Sequence, residues 1–97
     1  MDHFETDRPL TCKQFVEEFN AISENYVADT YLDYVFIYDA ESGVSVGFDL
    51  ARLDPGSCSW LYEFERAYSW KELMLMAKLA ATPPMLRTLP KERKSNG

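Results

Sequence analysis

Phe15, Phe19, Ile22 and Tyr26 recur at spacings of four, three and four, which lays them along one stripe of an α-helix with Glu17, Glu18 and Glu24 off the stripe. A start signal precedes them. Thr11 can cap the helix, Gln14 completes a capping box, and Leu10 can staple onto Phe15. The pattern predicts a first helix from Cys12 to Asn25. Beyond it, Tyr31-Leu32-Asp33-Tyr34-Val35-Phe36-Ile37-Tyr38 is rich in the aromatic and β-branched residues that suit a pleated surface, so it reads as a strand.

Asp39 to Gly43 is hairpin-loop chemistry with a glycine available for a positive φ. Val44, Val46, Phe48 and Leu50 then alternate with Ser45, Gly47, Asp49 and Ala51, which predicts a half-buried second strand. Leu53-Asp54-Pro55-Gly56-Ser57 is a turn, because proline presets its first central torsion and glycine accepts the second. A third strand follows, with Trp60, Tyr62 and Phe64 on one face and Leu61, Glu63 and Glu65 on the other; helical continuation into Arg66 is the rival reading.

Ser69-Trp70-Lys71-Glu72 is a second capping box and opens an apolar run, Leu73 to Ala81, in which Lys78 is the only charge. More than one face of this helix therefore needs cover, from the sheet or from a partner. Pro83-Pro84 ends it. Met85 to Leu89 packs back, and the chain from Pro90 reads as a disordered tail. The expectation is an α+β fold in the order α-β-β-β-α, a three-stranded antiparallel meander packed with two helices, in one domain over 1–89 with 1–9 flexible.

Composition supports a single core. A chain of 97 residues with 46% hydrophobic and 14% aromatic residues has the apolar material to fold alone. Cys12 and Cys58 are too few for a disulfide framework and lie in no zinc-like cluster, so both read as reduced thiols in a cytosol. The acidic start, MDHFETDRPL, lacks the basic and apolar regions of a signal peptide, and no stretch reaches the ~18 apolar residues of a membrane span. A cytoplasmic protein, away from membranes, is expected.

The net charge of −6 conceals an asymmetry. Residues 1–65 hold fourteen acids against three bases, a balance of −11, whereas residues 66–97 hold seven bases against two acids, a balance of +5. An acidic body thus carries a basic end, with Arg87, Lys91, Arg93 and Lys94 in the tail.

Chemistry finds few footholds. The only histidine, His3, sits near the amino terminus, away from any serine or cysteine motif, so no catalytic triad is expected. Cys12, in the first turn of a helix whose dipole can lower a thiol pKa, is the less inert thiol. Glu63 with Glu65, or Asp33 with Asp49, could share a sheet face as carboxylate pairs, but sixteen acids make such pairs by chance. Asp39, Glu41 and Gly43 faintly resemble a calcium loop, yet the position that needs a bidentate glutamate holds Leu50. No glycine loop cradles phosphate. The chain therefore reads as a non-enzyme with no cofactor and no metal.

The element order matches that of the double-stranded RNA-binding domain, which needs a basic cluster at the start of its last helix. Here that helix offers Lys71 and Lys78 on an acidic body, which repels a duplex. Direct nucleic-acid binding is left to the basic tail alone, behind a solubilising role and a protein contact.

Binding to protein is what survives. The carboxylates of Glu17, Glu18, Glu24, Glu63 and Glu65 suit a basic or nucleic-acid-handling protein, as a charge-complementary interface or a mimic of nucleic-acid phosphates. Tyr31, Tyr34, Trp60 and Trp70 belong to an aromatic load too large for the core, and surplus aromatics anchor interfaces. Either the outer sheet face or the second helix is expected to meet another chain, a copy of itself included.

The segment Leu75-Met76-Ala77-Lys78-Leu79-Ala80-Ala81-Thr82-Pro83-Pro84-Met85-Leu86-Arg87 resembles the carboxy-terminal part of small phage and prophage proteins of Gram-positive bacteria, where an apolar helix ends in a small residue, Thr-Pro and then Arg. The Val44–Leu50 strand is similar in layout, and Pro84-Met85 departs from the acids usual after Thr-Pro. The resemblance implies a phage-infected cytosol, in which small acidic proteins inhibit defence nucleases or transcription; it implies no mechanism.

Overall fold

A computed structural model describes residues 9–44, 47–63 and 66–88. The expected flexible start and the basic tail from Pro90 lie outside the described residues, Pro9 excepted. Seven elements are seen among those residues: α1 (Cys12–Ile22), β1 (Tyr26–Tyr31), β2 (Tyr34–Asp39), β3 (Ala51–Leu53), β4 (Leu61–Tyr62), α2 (Trp70–Ala81) and α3 (Pro84–Arg87). The strands form one antiparallel sheet in the order β1-β2-β3-β4. The α+β class and the meander are as expected; the strand count is not.

Both helix starts follow from local chemistry. The Thr11 hydroxyl accepts the Gln14 N–H at 3.1 Å while the Gln14 side chain accepts the Thr11 N–H at 3.1 Å, and Ser69 and Glu72 repeat the reciprocal pair. Glu72 does more. One carboxylate oxygen closes its own cap, and the other accepts the Ser23 hydroxyl at 2.6 Å, tying the end of α1 to the start of α2.

That tie ends α1 three residues early. Ser23 leaves helical torsions, its N–H bonds Phe19 O at 2.9 Å, and its hydroxyl accepts the Tyr26 N–H at 3.1 Å. Tyr26, expected on the helical stripe, begins β1 and donates its hydroxyl to Ala67 O at 2.7 Å, while Ile22 is left exposed. The run expected as one strand from Tyr31 to Tyr38 is a hairpin instead. Tyr31 pairs with Tyr34, and the two residues between them, Leu32 and Asp33, take φ values of 51° and 71°, the torsions of a tight primed turn.

The loop after β2 turns as expected, with Asp39 Oδ1 accepting the Glu41 N–H at 2.8 Å and Gly43 at φ 73°. Its continuation is no strand over the described residues. Val44 and Phe48 are exposed, Gly47 takes φ 86°, outside the strand region, and ladder bonding is next seen where the Leu50 N–H reaches Ile37 O at 2.6 Å. Among the described residues the third expected strand is seen as β4, and Phe64 and Glu65 lie outside them.

α1 and α2 pack against each other and cover one face of the sheet, α1 lying against β1. Phe15, Phe19, Val35, Ile37, Leu53, Met76 and Leu79 are fully buried between the layers, each worth about 2 kcal/mol of apolar transfer. The chain then folds back after Pro83, as expected, and its anchor is Arg87. This side chain is only 3% exposed. Its guanidinium donates to the carbonyls of Thr82 at 2.9 Å, Ser57 at 2.6 Å, Ala80 at 3.2 Å and Asp54 at 3.4 Å. Arg87 therefore does not belong to a solvated basic tail; the carbonyl-rich carboxyl end of α2 and the 54–57 turn hold its charge inside.

Candidate interaction surfaces

The acidic surface begins on α1. Glu17 and Glu18 are both exposed; the helical period puts Glu17 opposite Phe15 and Phe19 and Glu18 on the flank of the helix. Glu24, just past the helix, is exposed in the wall of an open cleft of about 700 Å³ that Tyr26, Asp39, Glu41 and Arg66 also line. Glu24 thus shares the cleft with the carboxylates at the end of β2, Asp39 and Glu41. In the cleft, Asp39 Oδ2 accepts from the Arg66 guanidinium at 3.4 Å. The Glu41 N–H foremost, and Arg66 with it, hold the Asp39 carboxyl below the usual carboxylate range.

Glu63 is exposed beyond β4, and Glu65 lies outside the described residues. Asp33 and Asp49 do not share a sheet face: Asp33 sits in the β1–β2 turn and Asp49 in the loop before β3. Among the described residues no cluster of three or more histidine, cysteine or acidic side chains could hold a metal ion. No described helix is long and apolar enough to cross a membrane.

The aromatic residues divide. On the sheet face away from the helices, Tyr34, Phe36 and Tyr38 run along β2, with Tyr34 and Phe36 stacked at 5.9 Å and Phe36 and Tyr38 tilted at 6.1 Å. Tyr31 and Tyr34 at the hairpin end are exposed, as an interface role requires. Trp60 is not available to a partner. It is 9% exposed, packs on Phe15 at 5.5 Å and donates its indole N–H to Met76 O at 2.8 Å, because the residue before β4 points into the core.

Trp70 is the opposite case, 66% exposed at the first position of α2 with the Lys71 ammonium 5.7 Å from its ring centre. Met74, Ala77 and Ala81 follow on the same exposed side at spacings of four, three and four, with Leu73 beside them. The stripe carries no charge. Lys71 and the half-buried Lys78 form one border, and Glu72, the helix's only acid, is turned inward.

The thiols also separate. Burial pushes the Cys12 thiol up, overriding the helix start that was expected to activate it, and leaves Cys58 as the exposed cysteine. Of the tail bases, Lys91, Arg93 and Lys94 lie outside the described residues, as does His3. The sequence reading overlooked Arg66 as the cation of the cleft; the lone base in the acidic stretch between Arg52 and Ser69 was its only signal. Comparison of the chain with protein-family models, with curated proteins and with solved structures yields no match.

Proposed function

We propose that this chain is a non-enzymatic interaction module whose acidic body binds a basic protein, one that handles nucleic acid in the phage setting that the 75–87 segment implies. One observation supports the reading: Glu24, Asp39 and Glu41 line one cleft in which Arg66 is the only cation among the described lining residues, and Glu17 and Glu18 are exposed on α1, the helix that leads to it. Clustered carboxylates of this kind steer a cationic partner and set the salt sensitivity of its encounter more than its final affinity.

The test is binding to a lysine- and arginine-rich probe peptide at low and high salt, compared between the native chain and the triple variant Glu17→Lys, Glu18→Lys, Glu24→Lys. The native chain binds at low salt and is released at high salt, and the variant does not bind. Equal binding by both removes the reading. Self-association, the alternative reading, has the uncharged stripe of α2 in its favour; a nucleic-acid role for the basic tail concerns residues outside the described range.

A further inference from the structure

The cleft between α1 and the end of β2 already contains a guanidinium. We infer that Arg66 is a built-in competitor there: in the free protein it occupies Asp39, and it yields that carboxylate to an arginine side chain of the basic partner. The inference rests on the acidic-body reading and names both the group that the cleft receives and what limits its entry.

The acceptor is fixed. Asp39 closes β2, and its Oδ1 is held by the Glu41 N–H at 2.8 Å, which leaves Oδ2 for a cation. The donor is not. Arg66 lies between β4 and α2 in a stretch, 66–69, that is neither helix nor strand, and its side chain is 41% exposed.

Arg66 reaches Oδ2 through one nitrogen at 3.4 Å, well beyond the ~2.8 Å of a close charge-assisted bond. The Arg52–Asp54 pair of the same chain closes to 2.6 Å. Beside the Arg66 guanidinium, the Tyr26 hydroxyl is already donated to Ala67 O at 2.7 Å. A long, exposed ion pair made through a single nitrogen contributes little and exchanges readily.

The cleft has room and charge for a second cation. At about 700 Å³ it admits a short stretch of a partner chain, and its described lining carries three carboxylates, Glu24, Asp39 and Glu41, against one base. Glu24 and Glu41 make no ion pair among the described residues. An anion drawn to Arg66 would meet all three carboxylates. An incoming guanidinium meets them as an opposite charge, and its planar fork can take two oxygens where Arg66 takes one. A seat that is filled for part of the time weakens apparent affinity in proportion to the fraction filled, so removing Arg66 tightens binding.

Fluorescence anisotropy of a labelled peptide of alternating arginine and glycine tests this on the full chain at about 0.1 M salt, where charges more than roughly 10 Å apart are largely screened. Arg66→Gln binds about threefold more tightly than the native chain. Lys71→Gln makes the same change of net charge at a residue that does not line the cleft, and leaves the affinity as it was. Asp39→Asn, which keeps an acceptor for the Glu41 N–H, binds more weakly. The circular-dichroism spectrum is unchanged in all three. A gain in Arg66→Gln no larger than that in Lys71→Gln overturns the inference, and so does binding by Asp39→Asn as tight as that of the native chain. If the Glu17, Glu18 and Glu24 variant loses the peptide while Arg66→Gln gains nothing, only this inference falls. If the native chain and Arg66→Gln both fail to bind even at low salt, the acidic-body reading falls with it.

Discussion

The side-chain amide of Asn20 occupies the place of a neighbouring strand at Ala28: its Oδ1 accepts the Ala28 N–H at 2.7 Å and its Nδ2 donates to the Ala28 carbonyl at 3.1 Å. β1 is an edge strand, and in the antiparallel ladder Ala28 points both backbone groups away from β2. Left open, such an edge recruits foreign strands. Asn20→Ala should leave a buried N–H and carbonyl without partners, at a cost of about 2 kcal/mol in chemical denaturation, and should speed hydrogen exchange at the Ala28 amide. Unchanged exchange there would show that the amide does not guard the edge.

Asn20 also marks the limit of what the sequence makes legible. The capping boxes at Thr11–Gln14 and Ser69–Glu72 were readable because every partner lies within three residues. The end of α1 was not. Tyr26 satisfies a helical stripe and a strand equally well, and what decides between them is the Ser23 hydroxyl on Glu72, forty-nine residues away. Exposure of Trp70 was legible from an apolar helix with more apolar faces than one sheet can cover. The burial of Trp60 was not, since the Met76 carbonyl that receives its indole is supplied by α2.

Arg87 shows the same principle in a charge. Its neighbours in sequence read as a solvated basic stretch, yet four carbonyls from α2, its end and the 54–57 turn converge on the guanidinium. Arg87→Ala should cost about 3 kcal/mol, because it removes those donors together and empties a buried site at the negative end of a helix. Arg87→Lys keeps the charge without the planar fork and should recover less than half of the loss. Urea denaturation of the three proteins decides it. Equal stability of the arginine and alanine forms would place Arg87 outside the fold's essential contacts.

The β1–β2 turn offers a gain. Leu32 holds φ at 51°, which costs a residue of its kind about 1 kcal/mol, and its side chain is 70% exposed. The absence of an Asn-Gly pair hid this hairpin from the sequence reading, and the same absence makes it improvable. The double variant Leu32→Asn, Asp33→Gly should raise stability by about 1 kcal/mol and the melting temperature with it. A lower melting temperature would mean that the Leu32 side chain contributes more than its torsion costs.

Tyr68 supplies a dependence on pH. Its hydroxyl is buried with no hydrogen-bond partner among the described residues, and its ring packs on Tyr26 at 4.6 Å and Tyr62 at 6.1 Å. Burial foremost pushes its pKa from an ordinary 10.0 up to about 12. Burial likewise raises Tyr26 and Tyr38. Raised folded-state values mean that the native chain binds more protons than the unfolded one as pH climbs past the ordinary tyrosine range. The contribution is therefore fully present below pH 10 and is lost on the way to about pH 12. Tyr68→Phe keeps the ring and removes a hydroxyl that bonds nothing described, so it should leave stability at neutral pH unchanged or slightly raised. Across the alkaline range the variant should lose less stability than the native chain. Urea midpoints at neutral and alkaline pH test both halves: a variant that loses as much as the native chain would assign the alkaline loss to Tyr26 and Tyr38 instead.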